Sequence, residues 1–408
     1  MKKTIYVIIL ILVISLMGCS NSGNEVVPNS EITTKQWNTI IDSSRGTIVN
    51  ILYYSEENEI TDWLKNDYKK DVKIKYNIDL RYTYMEFADI KELLLNRKEE
   101  DLNCEYDLIY LSDDGFKELK ENELLYKDIL TKLPNYYKNL STKDYIVNYD
   151  QGVSIDNYEV PIFKDQLVFM NNEDEIYETP STFDELLEVA KSNKGKVTYP
   201  NPNTKTGLLF ILSAILSKTD IEVINNLPAD KDKVYEYIKP GIDYLIELDK
   251  YLYDGGNTYP LNDDDMDILL SENKILFSLT RDYNRTTENI SNSIFPKGCN
   301  TFVIKDGTTG FIDYLAIPEK SDNKAGALVV INNMISGETQ GDIYRDNKLN
   351  KLPIVNFKTM PSSELFYIKD VKVKYTSIKY NELDDYFIPE VNSEIANIIY
   401  ELWSEYVE

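Results

Sequence analysis

Strand-like and helix-like segments alternate along the first third of the chain. Segment 47–54 is rich in β-branched and aromatic residues and predicts a buried strand. The alternation continues with helical spacing of apolar residues at 60–68, a strand at 78–82, a helix at 87–98, a strand at 106–111 and a helix at 114–121. This order predicts an α/β fold in which a mostly parallel sheet carries helices on its faces.

Two extended passages, 158–171 and 300–318, enclose a second α/β unit. Within it, Thr182 and Glu185 have the spacing of a capping box at the start of a helix. The same unit contains predicted strands at 196–199 and 275–279 and an apolar helix at 207–216, and a helix at 324–335 after the second passage should pack back on the first lobe. A chain that leaves one lobe, builds another and returns predicts a hinged, two-lobe architecture, with each lobe a mostly parallel sheet flanked by helices.

The N-terminus has the pattern of a secretory signal. Lys2 and Lys3 precede an apolar run at 5–16, which is shorter than the ~20 residues that a membrane span needs. The run ends at Leu16-Met17-Gly18-Cys19, which resembles a lipobox and implies cleavage before Cys19 and lipidation of its thiol. An ordinary signal peptide or a short membrane anchor is the alternative.

These patterns divide the chain into five predicted parts. They are a signal peptide at 1–18, a lipid-anchored tether at 19–35, a first lobe at 36–160 together with 312–350, a second lobe at 161–311 with crossover strands near 160–170 and 301–317, and C-terminal strands and a helix at 351–408 that pack on the lobes.

Composition excludes several classes of function. The chain has no histidine, which rules out Ser-His-Asp and Cys-His catalysis and histidine-ligated zinc or iron. Its formal charge of −25 repels phosphate backbones and argues against nucleic-acid binding, and this charge is typical of a solvated surface. Cys104 and Cys299 lie far apart in sequence, and their spacing gives no support for a disulfide. We expect no cofactor and no metal.

Several stretches between residues 37 and 357 resemble the YnjB-type solute-binding proteins of bacterial ABC transporters. The most specific are 180–187, which reads PSTFDELL, and 301–310 with 316–318 and 324–330, which include Thr301-Phe302-Val303, Ala316-Ile317-Pro318 and Lys324-Ala325-Gly326-Ala327. The resemblance implies the type II periplasmic-binding fold, a small-molecule ligand with thiamine-related candidates, and a permease and an ATPase as partners. The family tends to have a Trp-Gly-Gly-like turn after the first strand, where this chain has Tyr53-Tyr54-Ser55-Glu56.

Ligands of open α/β sheets bind beyond the carboxyl ends of the strands, and polar or aromatic residues occupy those places here. The predicted ligand-binding residues are Tyr53, Tyr54, Ser55 and Glu56 after the first strand, Ser112 and Asp113 after the third, Lys164, Asp165 and Thr309 on the two passages, Thr206 at a helix start, and Arg281, Asp282 and Tyr283 after strand 275–279. Each has a structural alternative, since tyrosines pack in cores, Asp113 and Thr206 suit helix starts, and Arg281 with Asp282 suits a loop ion pair.

The function that these observations favour is an extracytoplasmic, lipid-anchored, monomeric solute-binding protein of an ABC importer. Tyrosines beside carboxylates suit a thiamine-like cationic ring, and a carbohydrate is the second candidate. A secreted glycosidase with paired carboxylates is a weaker alternative, because no two acids are placed by the sequence on either side of a bond. A sensor or adhesin with the same fold stays open.

Overall fold

The computed structural model describes residues 32–54, 62–111, 115–140, 147–346, 349–369, 371 and 376–408. In chain order the strands are β1 (Ile48–Tyr53), β2 (Asp79–Tyr84), β3 (Leu108–Leu111), β4 (Tyr149–Asp150), β5 (Val153–Ser154), β6 (Glu159–Lys164), β7 (Val168–Asn172), β8 (Phe277–Thr280), β9 (Cys299–Phe302), β10 (Thr308–Thr309), β11 (Ile312–Ala316), β12 (Leu352–Pro353) and β13 (Phe387–Ile388).

Helices lie between most of these strands, and a π-helical turn (Leu64–Tyr68) runs directly into α2. They are α1 (Thr34–Ser44), α2 (Lys69–Tyr76), α3 (Phe87–Glu99), α4 (Phe116–Glu121), α5 (Pro134–Asn139), α6 (Phe183–Ser192), α7 (Lys205–Leu216), α8 (Ile221–Asn225), α9 (Lys231–Asp249), α10 (Asp263–Ser271), α11 (Arg285–Ser291), α12 (Lys324–Met334), α13 (Gly337–Asp346), α14 (Ser362–Lys369), α15 (Tyr380–Asp384) and α16 (Ser393–Tyr406).

The first lobe is built on a six-stranded sheet in the order β12-β6-β11-β3-β1-β2. Strand β1 pairs in parallel with β2 and β3, whereas β11 is antiparallel to β3 and β6, and β12 is antiparallel to β6. The α/β class is confirmed, but the prediction of a mostly parallel sheet is wrong here. Strands β11 and β12 enter this sheet after the chain has passed through the second lobe. The alternation of apolar residues does not indicate whether such a strand runs parallel or antiparallel to its neighbours.

The second lobe has a three-stranded sheet in the order β8-β7-β9, and β7 is antiparallel to both neighbours. A mostly parallel sheet is therefore wrong for this lobe as well. The strand predicted at 196–199 is reduced to a single bridge between Val197 and Leu252, since the chain here runs straight into the turn before α7. The predicted apolar helix is present as α7, and its residues 209–216 are all buried.

The two crossings are the segments near 160–170 and 301–317, where the chain passes from one lobe to the other. Two separate hydrophobic cores lie on either side of them. The first contains the β1–β3 strands and, as predicted, the apolar residues of α12. The second contains α6, α7 and α9 and also α16, whose Trp403 is fully buried and donates its indole N–H to the Tyr199 hydroxyl over 3.0 Å. The C-terminal helix thus belongs to the second core, although 112 residues of chain, 281–392, separate it from β8.

The two crossings lie against each other. The Asp165 amide donates to the Phe311 carbonyl over 2.9 Å, and the Leu167 amide donates to the Thr309 carbonyl over 3.0 Å. A Cβ added to Gly310 would lie 1.9 Å from the Asp165 carbonyl oxygen. The two crossings can therefore lie this close together only with glycine at position 310. These contacts hold the two crossings together.

Cys104 and Cys299 are both buried and free, and therefore form no disulfide. Among the helices in the described ranges, none combines the length and the apolarity that crossing a bilayer requires.

Candidate functional site

A groove made of three neighbouring cavities, which share lining residues, begins between the lobes and continues onto the second lobe. The first part, about 440 Å³, lies between α3, α4, the β4–β5 hairpin and the start of α16. The middle part, about 270 Å³, lies between α7, α16 and the second crossing, and shares Gln151 and Ser393 with the first part. The third part, about 360 Å³, lies at the starts of α7 and α10 and shares Lys205 with the middle part.

The first part combines aromatic rings with acidic side chains. Its lining includes Phe87, Phe116, Lys117, Glu118, Glu121, Asp150 and Glu394. Lys117 of α4 and Glu394 of α16 form an ion pair of 2.8 Å, which joins the first lobe to the helix of the second core. This end of the groove is therefore negative, and one of its ion pairs spans the two lobes.

The middle part is mostly apolar. Leucines of α7 and Val391 and Ala396 form its walls, and Phe311 of the second crossing lies at the end nearest the third part. Lys205 Nζ lies 5.5 Å from the Phe311 ring centroid and Arg281 Cζ lies 5.7 Å from it. Two cations thus flank one aromatic ring, in a geometry that cation–π attraction favours.

A buried ion-pair network lies beneath this ring. Asp165 accepts from Arg281 over 2.6 Å and from Lys351 over 3.3 Å, and Lys351 also pairs with Asp313 over 3.1 Å. Burial raises the pKa of Asp165, but Lys351, Arg281 and the Phe311 amide outweigh it and hold this pKa below its usual value. Asp165 is thus a charged anchor for the Arg281 guanidinium.

A second buried cluster contains carboxyl groups with little counter-charge. Burial and the neighbouring Asp150 raise the pKa of Glu159 well above its usual value. Burial and the same aspartate raise the pKa of Glu390, which lines the middle of the groove and accepts from the Ile312 amide. Carboxyl groups in such a place hold a proton at pH values where exposed ones are charged.

Three of the predicted ligand-binding residues line the groove. Thr309 lies in its middle part, and Thr206 and Arg281 lie in its third part. Tyr54 lies behind the first part, because its ring contacts Phe87 at 5.4 Å between centroids.

Five others are placed elsewhere. Tyr53 packs on Tyr84 and accepts from Lys65, and Asp165 anchors Arg281. Lys164 is fully buried, pairs with Asp384 over 2.5 Å, and lies between the rings of Tyr380 and Phe387. Asp282 accepts from the Asn284 amide within its own loop, and Tyr283 is buried against Tyr344 in the first core. Ser55, Glu56, Ser112, Asp113 and Cys19 lie outside the described residues.

The structure adds groove residues that sequence reasoning missed. Phe311 follows the glycine of the second crossing, so its place beside Thr309 offered a usable signal. No sequence signal pointed to three other groove residues, because the β4–β5 hairpin and the C-terminal segment reach the groove only through tertiary packing. They are Gln151, Glu390 and Ser393.

Comparison with known sequences gives two findings. The sequence pattern of the family described as bacterial extracellular solute-binding protein matches residues 63–356. Protein YnjB of Escherichia coli (strain K12) is 28% identical over 289 residues, which cover 69% of this chain and 72% of YnjB.

Solved structures share the fold at low sequence identity. A solute-binding protein from Bordetella parapertussis superposes with a TM-score of 0.62 at 11% identity, covering 88% of this chain and 99% of that one. An ABC transporter protein from Clostridium perfringens ATCC 13124 gives 0.60 at 13% identity, with 88% and 100% covered. Mannheimia haemolytica ferric iron-binding protein A, in an open conformation, gives 0.54 at 18% identity, with 88% and 98% covered.

Proposed function

Because the chain belongs to the bacterial extracellular solute-binding protein family, we propose that its inter-lobe groove is the place where the solute binds. The protein is an extracytoplasmic solute-binding protein of an ABC transporter and not an enzyme. The observation that carries the proposal is the position of the groove, whose lining comes from both lobes and from the second crossing.

The proposed mode of binding is closure of the lobes about the crossings. Asp165 and Phe311 are joined by a backbone hydrogen bond there, and the Asp165–Arg281 ion pair lies at the same place. Two separate cores joined by a pair of crossings suit a hinge, because each core can rotate as a unit about the crossings. Closed lobes would surround the solute and present one surface to a permease, with an ATPase on its far side.

The proposed solute is a thiamine-like cationic heterocycle. Support now comes from the first part of the groove, where the rings of Phe87 and Phe116 stand among Glu118, Glu121 and Asp150. A cation over an aromatic face gains roughly 0.5–2 kcal/mol. Tyr283, Asp165 and Asp282, which first suggested such a ring, give no support because the structure uses them in packing and in loop contacts.

Calorimetric titration with thiamine, its phosphates, polyamines and a panel of oligosaccharides tests the proposal, together with small-angle scattering of the same samples. A bound solute should lower the radius of gyration and raise the melting temperature. Tight binding without compaction would contradict closure, and binding of a neutral sugar that is insensitive to salt would replace the cationic ring with a carbohydrate.

Anchoring through a lipid on Cys19 is the remaining part of the proposal. It rests on the Leu16-Met17-Gly18-Cys19 sequence after the apolar run. Replacing Cys19 with Ala should abolish incorporation of labelled palmitate and release the protein into the medium. Membrane retention of that variant would show that the apolar segment itself is the anchor.

A further inference from the structure

We infer that a proton on Glu390 holds the two lobes together beside the groove, so that raising the pH loosens this contact and widens the first part of the groove. The inference rests on the closure of the lobes proposed above and adds to it a means of regulation. It concerns the solute-free protein and does not depend on which solute binds.

Glu390 lies on the C-terminal connection, residues 384–391, through which the chain passes from the first core into the second. Leu383, just before this connection, belongs to the first core, and Val391 at its end belongs to the second. The Glu390 carboxyl group is buried in the middle part of the groove and accepts from the Ile312 amide at the start of β11. A change in its charge therefore acts where the chain joins the two lobes.

The β4–β5 hairpin of the first lobe lies against the end of this connection. The Asn392 side-chain amide donates to the Gln151 carbonyl over 3.3 Å, and Gln151 lines the groove together with Glu390. Asp150, the residue before Gln151, is buried and lines the first part of the groove. Two carboxyl groups thus approach each other from opposite lobes, and Asp150 disfavours a negative charge on Glu390.

Glu159 supplies a proton to Asp150 and leaves it charged. Glu159 is fully buried, and neither of its oxygens accepts a hydrogen bond from a donor group among the described residues. Its side chain instead forms a hydrogen bond with Asp150, and two carboxyl groups share such a bond only when one of them carries a proton. Burial and Asp150 raise the pKa of Glu159, so the proton stays on Glu159 and the charge on Asp150.

The surroundings of Glu390 favour its neutral form. Burial and Asp150 are the main causes of its raised pKa, and only the Ile312 amide opposes them among the largest contributions. The other charged groups near Glu390 and Glu159 are mostly paired with each other. They are Asp165 and Asp313 with Lys351 and Arg281, Lys120 with Asp156, and Lys205 beside the Phe311 ring.

Loss of the Glu390 proton places like charges on both sides of the groove. Repulsion between them is strong where water is scarce, and it is relieved when the hairpin moves away from the start of α16. The closed arrangement then binds one proton more than the open one. The ratio of closed to open protein should therefore fall by up to about tenfold per pH unit, between the ordinary pKa of the carboxyl group in the open form and its raised pKa in the closed form.

Small-angle scattering of the solute-free protein from weakly acidic to alkaline pH tests the inference. The radius of gyration of the parent should rise with pH. Glu390→Gln keeps an oxygen acceptor for the Ile312 amide and has no proton to lose, so its radius should stay constant. Asp150→Asn removes the facing charge and should also give a constant radius, which keeps the test valid if one variant fails to fold.

Glu188→Gln is the matched control, because it removes a carboxylate that is 69% exposed and should keep the parental rise. Infrared spectra give a second measurement, in which the carbonyl stretch of protonated carboxyl groups should persist at neutral pH and lose intensity in Glu390→Gln. A parental radius that does not change with pH would overturn the inference. The same conclusion would follow from an equal rise in Glu390→Gln, or from an infrared band that this substitution leaves unchanged.

Solute-induced compaction at one weakly acidic pH tests the proposed function separately. If a solute of the panel compacts the protein but pH does not expand it, the proposed function stands and the inference fails. If pH expands the parent through Glu390 while no solute of the panel binds, the inference stands and the proposed solute fails.

Discussion

Buried ionisable side chains are concentrated where the lobes meet. Asp165 is held charged by Arg281 and Lys351, whereas Glu159 and Glu390 have raised pKa values because burial and Asp150 disfavour their charged forms. A buried ion pair and a buried carboxylic acid respond to pH in opposite ways, so substitutions at the two places should be distinguishable in solution.

Replacing Glu159 with Gln should make stability less dependent on pH. The folded protein holds a proton on Glu159 at pH values where the unfolded chain has lost it, so this group's contribution is complete below about pH 4 and is lost as pH rises through the raised pKa. The loss has a slope of up to about 1.4 kcal/mol per pH unit. Gln keeps a donor for Asp150 and does not titrate.

Urea unfolding across the pH range measures this slope. The Gln variant should lose less free energy of unfolding than the parent between weakly acidic and alkaline pH. Glu188→Gln, at a side chain that is 69% exposed, should keep the parental slope. Parallel curves for the parent and Glu159→Gln would show that Glu159 is ionised in the folded protein.

Replacing Asp165 with Asn should destabilise the fold by about 3 kcal/mol, because Arg281 loses its buried partner and Lys351 keeps only Asp313. Urea unfolding at neutral pH measures the change. Asp243→Asn is the matched control, since Asp243 pairs with Lys239 at 2.6 Å on a side chain that is 55% exposed and should cost less than about 1 kcal/mol. A loss at Asp165 no larger than that of the control would contradict a role of this network in joining the lobes.

Elements with strong local signals were predicted well from sequence. The helix predicted after Thr182 begins where expected, and the Thr182 hydroxyl accepts from the Glu185 amide over 3.0 Å. The reciprocal bond of the capping box goes elsewhere, because the Glu185 carboxylate accepts from the Ser181 amide over 2.6 Å. Caps and amphipathic spacing are properties of neighbouring residues, and sequence therefore carries them.

Elements that depend on distant partners were not predictable in the same way. Strand direction in the first sheet depends on β11, which returns after the second lobe, and no local pattern records it. Lys164 was expected to line the groove. Its ammonium instead forms an ion pair with Asp384, 220 positions away, and lies against two aromatic rings. Thr309 on the second crossing and Thr206 at the start of α7 line the groove, whereas Lys164 found a buried partner instead. The ligand-binding roles of the predicted residues stay predictions.

Gly310 lies where the two crossings contact each other, so a substitution there tests how close the crossings must be. Gly310→Ala should destabilise the protein by about 2–3 kcal/mol, because its Cβ would lie 1.9 Å from the Asp165 carbonyl oxygen and would push the crossings apart. Thermal unfolding and calorimetric binding of the same panel of solutes measure the effect. A fully stable variant would show that the crossings separate easily.

Gly195→Ala is the control for that substitution. Gly195 has a φ of +81° and no atom within 4 Å of an added Cβ, so alanine there costs only backbone strain of about 1 kcal/mol. Its distance in the chain from both crossings should leave solute binding unchanged. A loss of solute binding in both variants would show that general instability, and not separation of the crossings, causes the loss in Gly310→Ala.

At the scale of the whole molecule, the C-terminal helix links stability to the groove. Helix α16 packs in the second core through Ile395, Ile399 and Trp403, and its first turn faces the first lobe across the groove. Under the proposed function, a solute in the groove would contact a helix whose other end is anchored in the second core. Closure of the lobes is therefore expected to depend on contacts that α16 makes with α4.

The ion pair between Lys117 and Glu394 is one such contact, and reversing it tests closure directly. The pair measures 2.8 Å and its side chains are 46% and 57% exposed, so it should shift the balance between open and closed lobes by no more than about fivefold, and less at high salt. Lys117→Glu places two carboxylates together and should raise the radius of gyration of the solute-free protein. Lys117→Glu combined with Glu394→Lys restores opposite charges and should return that radius to the parental value.

Small-angle scattering at low and high ionic strength measures the radius of gyration of the parent and of both variants. A radius that stays constant across them would show that the lobes close without this contact, whereas a double variant that remains expanded would show that Lys117 acts through packing rather than charge.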